Sequence, residues 1–196
     1  MVIAVYGASS PRIDKCYTDA TENLCETLGK RGHSLVWGAG SAGVMGASAR
    51  GFRKANAKIH GVIPRFFIDE GYEAICSDAD ELSVVETMAE RKAIMENSCN
   101  AFVICPGGIG TFEEFFQTLT LKQLGRHDKA IVIFNVNGYY DHLLAFLEEA
   151  ISKNFISQEC RKLYKVCSSA DETVSYIENY SGEHLDWDKL KIGKKN

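Results

Sequence analysis

Short apolar runs rich in β-branched residues alternate along the chain with segments whose apolar residues recur at a helical spacing. One such segment carries Tyr17, Ala20, Leu24 and Leu28, which fall on one face of a helix. Strands that alternate with helices predict an α/β fold, in which helices cover both faces of a parallel sheet. The predicted strands are residues 2–6, 34–37, 59–63, 101–105, 130–134 and 164–166, with residues 73–76 as a weaker candidate.

The length of 196 residues fits one domain, because no linker or internal repeat divides the chain. We predict a single domain over residues 1–180 and a polar tail over residues 181–196. The tail is expected to be poorly packed and mobile. A tail that contacts a partner is the alternative, because its polar residues include Lys189, Lys191, Lys194 and Lys195.

Composition excludes several classes of protein. The net charge of −4 argues against a non-specific nucleic-acid surface, which has to be basic to neutralise phosphates. No apolar stretch approaches the roughly 18 residues of a membrane helix, and the first residues lack the basic region of a signal peptide. The seven cysteines form no CxxC pair and no zinc-type spacing with histidines. We therefore expect a cytoplasmic protein with free thiols, no metal site, and no membrane or nucleic-acid partner.

Three glycine-rich loops follow predicted strands, at residues 7–10, 38–43 and 106–111. Ligands of open α/β sheets bind at the carboxyl ends of the strands, where these loops lie. The third loop has three glycines in four positions, so backbone N–H groups can approach an anion closely at the start of a helix. A tight turn that only packs helix against sheet is the alternative. The residues expected to hold phosphate are Gly107, Gly108, Gly110 and Thr111, with Thr111 interpreted as the helix N-cap.

The spacing within these loops favours a mononucleotide. No lysine follows the third loop, so it is not the loop that binds the β- and γ-phosphates of ATP or GTP. Gly38, Gly40 and Gly43 match the spacing of a dinucleotide-binding loop. The acidic residue expected about 20 positions later is missing, which weakens that match.

Glu114 follows the third loop and lies three residues after Thr111, so the two side chains share one helical face. Proximity to the helix N-terminus favours the ionised carboxylate, which suits a group that stabilises positive charge or activates water. Compensation of the helix dipole is the alternative for an early glutamate. Glu113 points about 100° away and is expected at the surface.

Arg91 lies between Met88 and Met95 on one face of the preceding predicted helix. A cation on an apolar stripe is unusual, and an arginine can hold phosphate or carboxylate in a planar fork. The alternative is an arginine that is paired within the core. Lys92 faces elsewhere.

Five motifs of the chain occur together in one known family. They are Met88-x-x-Arg91-Lys92-x-x-Met95, Pro106-Gly107-Gly108-x-Gly110-Thr111-x-x-Glu114, Gln123-Leu124-Gly125-x-His127-x-Lys129, Asn135-Val136-x-Gly138-Tyr139-Tyr140 and Gly38-x-Gly40-Ser41-x-Gly43-x-Met45-Gly46. In these motifs the chain resembles the LONELY GUY family of cytokinin riboside 5′-monophosphate phosphoribohydrolases, which are often mislabelled lysine decarboxylases. The resemblance covers about residues 1–178 and excludes the tail.

The resemblance implies a Rossmann-like, doubly wound sheet, a homodimer and the catalytic pair Arg91 and Glu114. Departures from the family pattern at Ala8, Ala39, Leu121 and Ala130 leave the preferred base open. The residues expected to bind substrate beside the third loop are Ser9, Gly40, Ser41, Met88 and Lys92.

The resulting hypothesis is hydrolysis of a nucleoside 5′-monophosphate, AMP or its N6-prenylated relative, to free base and ribose 5-phosphate. No cofactor is needed for this reaction. A Rossmann-like carrier of a nucleotide or cofactor, without chemistry, is the alternative from another class. Lysine decarboxylation is a third reading, but it requires pyridoxal phosphate on a lysine, and no lysine stands in a persuasive context.

Overall fold

The computed structural model of the chain describes residues 1–182 and residue 190. The strands are β1 Val2–Tyr6, β2 Ser34–Trp37, β3 Ile59–Pro64, β4 Glu81–Val85, β5 Ala101–Ile104, β6 Ala130–Phe134 and β7 Lys165–Cys167. All seven are parallel and form one sheet in the order β4-β3-β2-β1-β5-β6-β7. The order reverses between β1 and β5, which creates a crevice at the carboxyl ends of these two neighbouring strands. The predicted Rossmann-like α/β fold is therefore confirmed.

Helices cover the sheet on both faces because the strands bury alternate side chains on opposite sides. In β1, Ile3 and Val5 face one core cluster, whereas Ala4 and Tyr6 face the other. The helices are α1 Lys15–Lys30, α2 Gly43–Lys54, α3 Arg65–Asp69, α4 Met88–Ser98, α5 Ile109–Gln123, α6 Asp141–Ser152 and α7 Ala170–Asn179. Helices α1, α2 and α7 contribute to the first cluster, and α4, α5 and α6 contribute to the second.

Two local predictions about strands were wrong. Residues 73–76 form no strand, although Ile75 makes an isolated antiparallel bridge to Gly40. Strand β4 was missed, and it pairs with β3 at the edge of the sheet. It is exposed or half-buried along its whole length, so it lacks the long apolar run that marks the central strands.

The start of α5 also differs from the prediction. The N-cap is Gly108, so Thr111 lies inside the first turn, where it is buried. Gly108 has no side chain with which to cap the helix. The first N–H groups of α5 therefore receive no side-chain oxygen from the N-cap residue and are available to an external anion.

Most of the predicted tail, residues 183–189 and 191–196, lies outside the described residues. Leu190, however, is buried against Cys160 and Leu163, and its carbonyl accepts a hydrogen bond from Gln123 Nε2 at 3.4 Å. Within the described part of the chain, none of the helices is both long and apolar enough to cross a membrane.

Candidate functional site

A cavity of about 320 Å³ opens at the crevice between β1 and β5. This volume is at the lower end of the range of about 300 to 1,000 Å³ for small-molecule sites. The first and third glycine-rich loops form one side, and side chains from α2, α4, α5 and the segment after β3 form the rest. The lining residues are Gly7, Ala8, Ser9, Ser10, Met45, Phe67, Glu73, Met88, Arg91, Gly108, Gly110, Thr111 and Glu114.

The third loop keeps an open face toward this cavity. A Cβ added at Gly108 or Gly110 would meet no atom within 4 Å, so space remains there for a ligand. Gly107 has a different role, because a Cβ there would lie 2.1 Å from Thr111 Oγ1. The hydroxyl of Tyr139 donates a hydrogen bond to the Gly107 carbonyl at 2.7 Å, and this contact stabilises the loop.

Glu114 lies one turn into α5 and is only 8% exposed. Burial raises the pKa of its carboxyl group from 4.5 to about 7, although the positive charge of Arg91 opposes this rise. The expectation of a carboxylate held ionised by the helix N-terminus is therefore corrected. Glu114 is the sixth residue of α5 and lies beyond the first turn, in which the helix dipole acts, so removal from water dominates its pKa. Near neutral pH the carboxyl group can both accept and return a proton.

Arg91 is buried on α4, and backbone carbonyls fix its position. Nε donates to the Val62 carbonyl at 3.1 Å, and Nη2 donates to the Gly38 carbonyl at 3.2 Å. Its guanidinium carbon lies 5.6 Å from the centre of the Phe67 ring. Among the described residues, no carboxylate lies within ion-pair distance of Arg91. Arg91 is thus paired within the core, as the alternative expected, but with carbonyls rather than with an acid. Its positive charge is therefore not neutralised there, and it also lines the cavity.

Glu73 is a residue of the cavity that the sequence analysis missed. Its Oε2 is buried and has no hydrogen-bond partner within the described part of the chain. A buried carboxylate oxygen without a donor is rare and indicates a missing partner such as a ligand. The sequence offers no spacing signal for this residue, because it comes from an irregular segment that only the fold brings to the cavity.

Four of the predicted binding residues lie outside the cavity lining, and the first of them is Gly107, which packs against Thr111. Lys92 points from α4 to α5, where its ammonium group pairs with Glu113. Gly40 and Ser41 turn toward the segment after α3, because the Ser41 hydroxyl and amide both donate to the Ala74 carbonyl. Ser9 and Met88 do line the cavity, together with the predicted pair Arg91 and Glu114.

Comparison with known proteins places this chain in a family. A family profile described as "Possible lysine decarboxylase" matches residues 45–177. The chain is 36% identical over 178 residues to cytokinin riboside 5′-monophosphate phosphoribohydrolase LOG5 of Arabidopsis thaliana, covering 91% of this chain and 77% of that protein. It is also 36% identical over 189 residues to the phosphoribohydrolase LOG of Oryza sativa subsp. japonica, covering 95% and 77%. The chain belongs to the LOG family.

Solved structures support the fold of this LOG family member. The molybdenum cofactor carrier protein from Chlamydomonas reinhardtii superposes with a TM-score of 0.69 at 21% identity, covering 90% of this chain and 95% of that one. The molybdenum cofactor binding protein from Rippkaea orientalis gives 0.68 at 19% identity, covering 90% and 94%. At such low identity the likeness extends to the fold alone.

Proposed function

We propose that this LOG family protein hydrolyses the N-glycosidic bond of a nucleoside 5′-monophosphate, releasing the free base and ribose 5-phosphate. One observation carries the proposal: the N-terminus of α5, the buried cation of Arg91 and the buried carboxyl group of Glu114 all lie in the same cavity. The names of the relatives, cytokinin riboside 5′-monophosphate phosphoribohydrolases, support the same reaction.

In this proposal the phosphate binds at the N-terminus of α5, against the N–H groups near Gly108 and Gly110. The unpaired donors and the positive end of the helix dipole favour an anion there. Anchoring the phosphate fixes the ribose relative to Glu114, so binding energy is used for orientation.

Cleavage of the bond between C1′ and the base nitrogen leaves its electron pair on the base and positive charge on the ribose. Ionised Glu114 stabilises that charge and positions a water molecule. As the water oxygen bonds to C1′, one water proton passes to Glu114 and then to the departing base. A pKa of about 7 suits both transfers near neutral pH.

Arg91 and Glu73 hold the nucleotide in this scheme. Arg91 is fixed by carbonyls rather than by an acid, so its charge remains available to the substrate or to the leaving base. Oε2 of Glu73 accepts a hydrogen bond from a hydroxyl or amino group of the nucleotide, which satisfies its otherwise missing partner.

The variant Gly110→Ala tests the phosphate site. Its methyl group fits the protein, because a Cβ at this position meets no atom within 4 Å. It would occupy space that the phosphate needs, so we expect ribose 5-phosphate to bind at least about tenfold more weakly while thermal stability is unchanged. Calorimetric titration and thermal unfolding measure the two quantities. Unchanged affinity would place the phosphate elsewhere.

The reaction itself is tested by incubating the protein with AMP and with isopentenyladenosine 5′-monophosphate and quantifying base and ribose 5-phosphate. We expect release from one or both substrates. The apolar wall formed by Met45, Phe67 and Met88 can accept either base, and the ratio of rates gives the preference. Binding of both nucleotides without release would replace this proposal with a carrier function, like that named for the molybdenum cofactor carrier protein of the same fold.

Lysine decarboxylation does not fit the cavity. Pyridoxal phosphate enzymes of this kind hold the cofactor through a lysine amine. Among the described residues, no lysine lines the cavity, and Lys92 beside Arg91 is paired with Glu113.

We further propose that the protein acts as a cytoplasmic homodimer. Phe116 on α5 borders an apolar groove of about 180 Å³ beside α6. Phe146 and Phe155, on α6 and just after it, are 65% and 80% exposed. Exposed apolar residues of this kind mark interaction surfaces. Light scattering with size-exclusion chromatography should give twice the chain mass, and a monomer would contradict the dimer.

The cytoplasmic location is proposed on a separate ground, because the seven free cysteines suit a reducing compartment.

A further inference from the structure

The second glycine-rich loop, residues 38–43, lies beneath the cavity and contributes none of its lining residues. It nevertheless touches side chains that do line the cavity. A Cβ added at Gly38 would lie 1.7 Å from Arg91 Nη2 and 2.9 Å from its Cζ. A Cβ added at Gly40 would lie 2.7 Å from Met45 Cε and 3.3 Å from Glu73 Oε2. Both glycines therefore leave room for side chains that line the cavity.

We propose that this loop is a positioning platform for the site and that Gly38 is the positioning residue of Arg91. The Gly38 carbonyl accepts a hydrogen bond from Nη2 at 3.2 Å, and its missing side chain leaves the space in which Nη2 lies. The Val62 carbonyl holds Nε at 3.1 Å from the neighbouring strand β3. One carbonyl on β3 and one in the loop directly after β2 thus fix the plane of the guanidinium.

The reason for glycine at position 38 differs from the reason at two other positions nearby. Gly43 has a φ of +57°, and a Cβ at Gly46 would lie 2.0 Å from the Ser41 carbonyl oxygen, so both are required by the backbone. The nearest obstacles to a Cβ at Gly38 are instead the ends of two flexible side chains, Arg91 and Met45. Alanine at position 38 therefore displaces Arg91 without requiring a change in the backbone.

Displacement of Arg91 has a specific electrostatic consequence. Its positive charge lowers the pKa of Glu114 against the effect of burial. When the guanidinium moves away, the pKa of Glu114 rises further, and the pH at which turnover reaches half its maximum moves upward. The other charged or titratable groups that act on Glu114 are Glu73, Lys92, Glu113 and Tyr6.

The experiment is a double-mutant cycle with Gly38→Ala, Arg91→Ala and the combination of both, measured as base release against pH. This inference rests on the proposed hydrolysis, so an inactive wild type would contradict the function itself. With an active wild type, we expect Gly38→Ala to lower kcat by roughly 10²-fold, as misplacement of a catalytic group by about 1 Å does. In the Arg91→Ala background the same change should have no further effect, because Arg91 is no longer there to displace.

Two further readouts separate positioning from a general structural defect. Gly38→Ala and Arg91→Ala should both shift the rising limb of the pH profile upward, whereas a defect elsewhere would leave it in place. A crystal structure of Gly38→Ala should show Nη2 removed from the Gly38 carbonyl, which can be seen without turnover. Additive effects in the cycle, full activity of Gly38→Ala, an unmoved Arg91 or loss of folding would each overturn the inference.

Discussion

Replacing Glu114 with glutamine is expected to lower the rate of base release by about 10²- to 10⁴-fold, because it removes both a charge that stabilises the transition state and a proton acceptor. Nucleotide binding should remain nearly intact, since glutamine keeps the size of the side chain and the phosphate is held at Gly108 and Gly110. Steady-state kinetics should therefore show a loss in kcat with little change in KM.

The matched control for this prediction is Glu113→Gln, the same substitution one position earlier on α5. Glu113 is half-exposed, lines no part of the cavity and pairs with Lys92. Its loss should change turnover by only a small factor. Full activity of Glu114→Gln, or an equal loss in both variants, would contradict the role assigned to Glu114.

The second large effect of replacing Glu114 concerns stability. The substitution that lowers activity is expected to raise the free energy of unfolding. The pKa of Glu114 is raised from 4.5 to about 7, so the folded protein binds this proton more tightly than the unfolded chain does. The free energy of unfolding therefore falls as pH rises from about 4.5 to about 7 and levels off above that. At 1.36 kcal/mol per pKa unit, the ionised carboxylate costs roughly 3 kcal/mol above pH 7. Glutamine carries no such charge.

We therefore expect Glu114→Gln to be more stable than the wild type by up to roughly 3 kcal/mol above pH 7 and about equal to it below pH 4.5. Urea unfolding of both proteins across this range measures the difference. Glu113→Gln again serves as the control and should show no comparable gain at high pH. A constant difference between Glu114→Gln and wild type across the range would exclude a buried ionised carboxylate as its cause.

These two predictions are linked by one physical fact. The burial that makes ionised Glu114 effective against a developing positive charge also makes it costly in the resting protein. Sites that store strain or unfavourable charge for function commonly reduce stability in this way.

The sequence alone determined the fold class, and it predicted the residues of the candidate site that lie on one loop or one helix. Central strands such as β1, β5 and β6 are buried on both faces, so their apolar runs could be recognised from composition. The glycines before α5 are close together in the chain. The helical faces on which Arg91 and Glu114 lie also depend only on neighbouring residues. Spacing along the chain therefore predicts both. The family resemblance rested on the same residues.

Only the tertiary structure decided what surrounds those residues. Glu73 reaches the cavity from an irregular segment, and Gly38 meets Arg91 from a position 53 residues away in the chain. The pKa of Glu114 depends on burial by several elements, which reversed the expectation based on the helix dipole. Spacing along a chain specifies which residues share one helix or strand, but burial and contacts between distant segments arise only when the elements pack, so the electrostatics of the site could not be predicted from sequence.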